Sequence, residues 1–518
     1  MALAHWRAAR PARRRLAILA ITGLLSSLLA GCGARVPPAL GAASDVQNGS
    51  AAGGPAAGSG GQTTVTGGQV QVGGPGGAAG PAAAPGPAGG PARGNAAPTA
   101  AGGGPTPAAQ QAAANPNSFN FDPAAVAAAC PGTAGNGSSD VGVTPTAITV
   151  GNVSGLTGIL PNNFNQGAEA TQALFASINA HGGICGRQLK LLVEDDGQDA
   201  SRNAADVADL IPKVFAFVGS TSDADNGGVP QMVQANVPDL GQAINTNRAV
   251  SPTNISASGN QTVINGKFSA YNTLMKGLLE NRTAPKRIAV LAYSIPISAD
   301  AGSYYYNAFQ KYGGAAPCYQ DTAVSPASAS LDADVFQMAQ KGCDGVFTTM
   351  DVTGNAKLLQ SMARNPSFKP VYVGTTYDGY TPAQISVAGT AAAQGFQVFT
   401  DFVPFSDPNP VMQLYLSTLH TYQPGKQPSA FGAEAWASAV MFVYALVVAG
   451  HNPTRAKIVQ IMNGLKGWST GGMTSPIDVG AHGPTRCIVE LGVKGNDFVR
   501  LWPAQGLYCN GELVPFQP

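Results

Sequence analysis

Charge is scarce in this chain of 518 residues: Asp, Glu, Lys and Arg together make up 11% of it. Aromatic residues make up 7%. The histidines beyond the N-terminal segment, His181, His420, His451 and His482, are scattered. No Cys-x-x-Cys occurs, so the usual spacing of a zinc site is missing. No His-Glu-x-x-His occurs, and no Gly-x-Ser-x-Gly sits at a strand end. A Ser/His/Asp set assembled from distant segments stays open, but no dense cluster of His, Asp and Glu points to one. The reading is therefore a protein that is not an enzyme, with no cofactor and no metal. No apolar run reaches the roughly 20 residues of a membrane helix. The run 16–29 is too short to span, and 436–449 reads as a buried helix.

What is present begins with arginine. Arg7, Arg10, Arg13, Arg14 and Arg15 carry no acidic partner, the apolar run follows, and Leu29-Ala30-Gly31-Cys32 closes it. That order is a charged region, a hydrophobic region and a small-residue cleavage site. The last four residues resemble a lipobox, which implies cleavage before Cys32 and a lipid on its thiol. An ordinary signal peptide with an incidental cysteine is the alternative. Removing the five arginines takes the formal net charge from +1 to about −4. A mildly acidic chain argues against nucleic acid and against polybasic attachment to a membrane.

From 33 to about 117 the chain is Gly, Ala, Pro, Ser, Thr and Gln, almost without charge or aromatics. Such a composition cannot bury enough apolar surface to offset the entropy of ordering. It reads as a disordered tether of roughly 90 residues, spanning on the order of 50 Å. With Cys32 set aside, Cys130, Cys185, Cys318, Cys343, Cys487 and Cys509 remain. An even number in an exported chain suggests disulfides, and six cysteines allow fifteen pairings. Chain-order neighbours are the expected set: Cys130–Cys185, Cys318–Cys343 and Cys487–Cys509.

The stretch 147–199 organises the rest. Ile148 to Val153 is a strand, and Ser154-Gly155-Leu156-Thr157-Gly158 is a glycine loop. A helix follows with Ala168, Thr171, Leu174, Phe175 and Ile178 on one 3.6-residue face. Gly182-Gly183 supplies the positive φ that ends it, and Leu189 to Val193 is the next strand. This is a βαβ unit with a right-handed crossover. The loop Leu156-Thr157-Gly158, the helix start Gly167-Ala168-Glu169 and the run Ile178-Asn179-Ala180-His181-Gly182-Gly183-Ile184-Cys185-Gly186-Arg187 add a family likeness, as does the acidic end Glu194-Asp195-Asp196. Together they resemble the opening of the periplasmic leucine/isoleucine/valine-binding family, the type I substrate-binding proteins of ABC importers. The likeness extends to about Trp502.

Strand–helix alternation in two successive blocks gives the fold class α/β. The resemblance implies two Rossmann-like lobes joined by a three-crossover hinge. The expected division is a signal peptide over 1–31, the lipidated cysteine and linker over 32–125, and lobe 1 over 126–268. Lobe 2 follows over 269–394, lobe 1 resumes over 395–486, and a closing segment takes 487–518. Ligands of open α/β sheets sit beyond the carboxyl ends of the strands.

The resemblance implies a ligand carboxylate on the loop Ser220-Thr221-Ser222, which reads as a strand end running into a helix N-terminus. Simple capping of that helix is the alternative. Asp223 reads as a cap facing outward. Thr157 belongs to the same implied cleft, and so do Ala243, Ile244 and Asn245, which stand where relatives carry Gly-Ala-Thr. In lobe 2 the implied set is Tyr304, Asp351, Thr376, Tyr377 and Asp378. Asp378 is the expected partner of a ligand ammonium, with a plain turn residue as the alternative. Relatives carry Tyr-Gly after the first lobe-2 strand, and this chain has Ala301-Gly302. The whole reads as a lipid-anchored solute-binding protein on the outer face of the bacterial cytoplasmic membrane. An ABC permease is its partner and an amino acid or similar small polar metabolite its ligand. A ligand sensor signalling to a membrane receptor is the alternative.

Overall fold

The computed structural model describes residues 107–260, 262–264 and 267–514. The expected signal segment 1–31, Cys32 and the linker as far as 106 lie outside the described residues. The described residues belong to one compact unit, Gly94–Pro518.

The βαβ unit builds the first lobe. Strands β1 (Ala147–Ser154) and β2 (Gln188–Asp195) run parallel, in register from Ala147 opposite Gln188 to Ser154 opposite Asp195. The helix Asn165–Ala180 joins them and buries Ala168, Thr171, Leu174, Phe175 and Ile178. It stops at Gly182 and Gly183, with φ of 101° and 79°. A Cβ on Gly183 would lie 1.9 Å from the Arg187 carbonyl oxygen, so only glycine fits this turn. Three short strands complete a parallel sheet: β3 (Phe217–Val218), β4 (Asp239–Leu240) and β5 (Asn254–Ile255), in the order β2-β1-β3-β4-β5.

A hairpin of β6 (Thr262–Ile264) and β7 (Lys267–Tyr271) leads into the second lobe. Its sheet holds β8 (Arg287–Tyr293), β9 (Ala316–Val324), β10 (Gly345–Thr348), β11 (Tyr372–Thr375) and β12 (Gln397–Thr400), all parallel. The antiparallel pair β13 (Val489–Lys494) and β14 (Asp497–Trp502) closes it, in the order β14-β13-β12-β11-β10-β8-β9. A last strand, β15 (Leu513–Val514), pairs with β7. The chain thus passes between lobes three times: after β5, after β12 and before β13. Because β12 hydrogen-bonds into the second sheet, the return to lobe 1 comes after residue 400 rather than at the expected 395.

Between the second and third passages lies the helix Ala430–Ala449, N-capped by the Ser429 hydroxyl on the Gly432 N–H. Apart from Glu434 it carries no charge and it is long enough to cross a membrane, but nearly all of it is buried inside the fold, against the Asn165–Ala180 helix. A helix apolar all round belongs in the middle of a large core.

The expected linker boundary at 125 requires correction. Helices Pro107–Ala114 and Pro123–Ala129 precede lobe 1, and Asp122 caps the second. The Phe119 and Phe121 rings lie 5.5 Å from Tyr444 and 6.0 Å from Trp468. Asn117 donates to the Gly467 carbonyl at 2.7 Å. Two aromatics supply the burial that the surrounding alanines lack. The structure contains three disulfides, Cys130–Cys185, Cys318–Cys343 and Cys487–Cys509, with Cα separations of 4.6, 5.7 and 4.1 Å. The first ties this N-terminal segment to the turn after the lobe-1 helix. His451 lies beside it, with one ring nitrogen 3.9 Å from the Cys130 sulfur.

Candidate functional site

The carboxyl ends of β3 and β4 face those of β8, β10 and β11 across a cavity of about 190 Å³. Lobe 1 lines it with Leu160, Phe164, Asp223, Gln242, Ala243, Ile244, Asn260, Asp401 and Phe431, among others. Lobe 2 contributes Tyr293, Ile295, Ser298, Tyr305, Thr349, Asp351, Thr376, Tyr377 and Asp378. Phe399, on β12, lies in the wall between passages. Of the residues expected at the cleft, Ala243, Ile244, Asp351, Thr376, Tyr377 and Asp378 come together there. Thr157, Ser220, Thr221, Ser222, Asn245 and Tyr304 are not among the lining residues.

The serine-rich loop is the largest correction. No helix starts at Ser220-Thr221-Ser222: residues 223–228 form turns, and the next helix is Val229–Gln234. Two contacts redirect the chain. Asp225 is drawn to Arg248 at 3.0 Å, and Gly227 packs so closely that a Cβ would lie 1.9 Å from the Ala200 carbonyl oxygen. The three side chains are buried and bond the backbone around them instead. Ser220 Oγ accepts from the Val153 N–H at 3.1 Å, and Ser222 Oγ accepts from the Ala224 N–H at 3.1 Å. The Thr221 N–H donates to Ser154 Oγ at 3.0 Å.

Asp223 is the second correction. It faces the cavity rather than solvent, and its Oδ1 is buried without a hydrogen-bond partner. Burial, then the charges of Asp196 and Asp225, push its carboxyl up to about 7.

Arg248 holds this wall in place, and no local motif announces it. Its side chain is 1% exposed. Nε and Nη2 donate to Asp239 at 2.8 Å each, and Nη1 donates to Asp225 at 3.0 Å. Asp225 in turn accepts the N–H groups of Ile244 at 2.7 Å and Asn245 at 3.0 Å. Asn245 therefore positions the loop rather than lining it, and its Nδ2 donates to the Asp223 carbonyl at 2.7 Å. Thr157 likewise serves its own loop, with its hydroxyl donating to Asp195 at 2.6 Å.

In lobe 2, Asp351 caps the helix Val352–Arg364 by accepting from the Gly354 N–H at 2.9 Å. It also accepts from the Tyr293 hydroxyl at 2.6 Å. Asp378 sits in the turn Tyr377–Gly379. Burial, then the Asp351 charge, push its carboxyl up to about 7. Tyr304 turns away and donates its hydroxyl to the Ala270 carbonyl at 2.8 Å, so its neighbour Tyr305 fills the cavity wall.

In the lobe-1 wall, Asp401 meets Glu434 behind it, whose carboxyl accepts from the Ser258 hydroxyl. Burial pushes both acids upward, Glu434 well above the carboxylate range, and the Asp401 charge adds to the shift of Glu434. The Phe431 ring lies 5.3 Å from Phe164 and 5.7 Å from Tyr377, an aromatic bridge from one lobe to the other.

Solved structures share this architecture. The branched-chain amino acid transporter substrate-binding protein of Streptococcus pneumoniae, in complex with isoleucine, matches with a TM-score of 0.58 at 16% identity. The match covers 71% of this chain and 99% of that one. A fatty acid ABC transporter substrate-binding protein from Thermomonospora curvata matches with a TM-score of 0.59 at 17% identity, over 73% and 96% of the two chains. An ABC transporter solute-binding protein from R. palustris, in complex with 4-hydroxybenzoate, matches with a TM-score of 0.53 at 16% identity, over 72% and 98%. At these identities the likeness is one of fold. Comparison with curated protein sequences gave no match. Residues 147–496 match the family model described as periplasmic binding protein, and this match, with the two-lobed fold, makes the chain a member of that family.

Proposed function

We propose that the chain is the extracytoplasmic solute-binding component of an ABC importer. One observation carries this reading: a cavity at the carboxyl ends of two parallel sheets, lined from both lobes. A ligand that touches both lobes favours the closed arrangement by its differential affinity for it. The closed form is then what a permease recognises. Ala243 and Ile244 form the lobe-1 contact, and Asp351, Thr376, Tyr377 and Asp378 the lobe-2 contact. Lobe 1 comprises about 126–268 and 401–486, and lobe 2 the rest of the chain from 269. A lipid on Cys32 tethers the protein to the outer face of the membrane, a reading supported by Leu29-Ala30-Gly31-Cys32 behind the arginine-rich start.

A thermal-shift screen of amino acids, amines, amides, carboxylates and sugars tests the binding role. A ligand at a hundred times its Kd stabilises by roughly 2.7 kcal/mol, so at least one class shifts the melting temperature. A panel without any shift counts against the reading. Cys32→Ala tests the tether: the protein leaves the membrane fraction or stays unprocessed. Normal cleavage with unchanged membrane association contradicts it.

A further inference from the structure

We propose that the ligand of the interlobe cavity is an organic cation: an ammonium group on an apolar body, without a carboxylate. The proposal rests on the solute-binding reading and names the chemical class of the solute.

The cavity lining carries Asp223, Asp351, Asp378 and Asp401, and no Lys, Arg or His. Arg248, behind the lobe-1 wall, is buried and committed to Asp225 and Asp239. A ligand carboxylate therefore meets acidic groups and no cationic side chain among the lining residues. The hydroxyls expected to receive it are buried and bonded to the backbone, Ser220 to Val153 in the sheet, Thr221 to Gly219 and Ser222 to Ala224 in the following turn, and none of the three lines the cavity.

Asp401 supplies a second, independent observation. It is 5% exposed and lies in the cavity wall, yet neither carboxyl oxygen makes a well-formed hydrogen bond and no cationic side chain lines the wall beside it. Its polar neighbours are the Glu434 carboxyl, its own backbone N–H and the Thr485 hydroxyl. A buried carboxyl in this state is costly unless a partner arrives, and an ammonium is the partner whose charge fits.

The acids also stand on opposite lobes, Asp223 and Asp401 on one and Asp378 on the other. Tyr377 lies between them, with Asp378 on its own lobe and Asp401 and Glu434 across the cleft. A cation held between the lobes meets acidic groups on both walls. Closure is thereby tied to the charge of the ligand. Rings of Phe164, Tyr305, Tyr377, Phe399 and Phe431 enclose the remaining space. They suit an apolar body, and their faces attract a cation. Burial first, and neighbouring acids second, raise Asp223 and Asp378, and a cation placed beside either carboxyl lowers it again.

Two matched sets test this on the full chain by titration calorimetry at neutral pH. One set is 3-methylbutylamine, leucine and 4-methylpentanoate, and the other is phenethylamine, phenylalanine and 3-phenylpropionate. Each set keeps one apolar body and varies only the charged groups. In at least one set the amine binds, and the amino acid and the acid bind about tenfold more weakly or less. Amines that bind no better than their matched amino acids or acids overturn the proposal. If leucine, phenylalanine or an acid binds while the amines do not, the solute-binding reading stands and the cation falls. Silence from both sets, and from amides and sugars, overturns both. Asp378→Asn lowers amine affinity roughly tenfold to a hundredfold, while its ligand-free melting temperature is equal to or above wild type. Amine affinity unchanged in Asp378→Asn also overturns the proposal.

Discussion

Arg248→Ala is the substitution that most directly probes how the lobe-1 wall is held. Arg248 makes three charge-assisted bonds of 2.8 to 3.0 Å to Asp225 and Asp239, and all three side chains are almost fully buried. Truncation leaves two buried carboxylates facing each other without their cation. Breaking a buried ion pair in this way costs about 3–5 kcal/mol. Unfolding entropy of roughly 2.1 cal/mol/K per residue, over roughly 400 ordered residues, is about 0.8 kcal/mol/K. A loss of about 4 kcal/mol therefore lowers the melting temperature by about 5 °C. Scanning calorimetry at pH 7 measures it. Arg248→Met combined with Asp225→Asn and Asp239→Asn removes all the charges together and recovers part of the loss, because no unpaired ion remains. Arg248→Lys falls between, since an ammonium cannot span both carboxylates as a planar fork does. The effect also reaches the cavity, because Asp225 holds the N–H groups of Ile244 and Asn245. A fall of less than about 1 °C in Arg248→Ala would show that this network does not support the wall.

Two further outcomes follow from the same geometry. Asp223 and Asp378 have carboxyls raised to about 7, Asp223 facing Asp196 and Asp225, and Asp378 facing Asp351, Tyr305 and Tyr377. A folded-state value above the unfolded one means that the folded protein binds more protons between about pH 4 and pH 7. These groups therefore favour folding at the acidic end of that window and lose that contribution as pH rises through about 7. The ligand-free melting difference between pH 5 and pH 8 shrinks in Asp223→Asn with Asp378→Asn, and an unchanged difference contradicts the assignment. Phe121→Ala removes a ring that is 4% exposed and packs on Trp468, at a cost of about 3–5 kcal/mol by denaturant unfolding. A change near zero would mean that the segment before Cys130 is not part of the lobe-1 core.

The sequence made the 147–195 unit legible because every local signal there agrees. The apolar face of the helix, the two glycines that end it and the acidic strand end all describe one βαβ turn. The helix Ala430–Ala449 was legible for a related reason, since a run apolar on all sides has no solvent face. The site was less legible. Whether a helix follows Ser222 depends on the pull of Arg248 on Asp225, a contact between residues 23 apart in the chain. Three consecutive tyrosines, 304 to 306, point about 100° apart around their helix, and only the packed lobe selects Tyr305 for the cleft. Asp401 and Glu434 approach each other from separate elements, so neither residue's neighbours reveal the pair. A carboxylate at Asp223 conflicts with a ligand carboxylate expected beside it, which is why the sequence points it toward solvent. Its actual orientation removes the conflict if the ligand is a cation. Phe119 and Phe121 were hidden by the average composition around them, although they pack on Tyr444 and Trp468.

The central claim is that one solute is held between the two lobes. Hydrogen exchange on the full chain, with and without the ligand found by the thermal-shift screen, tests it most directly. The account predicts ligand-dependent protection in two places at once: the lobe-1 loop 242–245 and the lobe-2 turns 349–351 and 376–378, which line the same cavity. Protection confined to one lobe, or appearing only away from these segments, would contradict it.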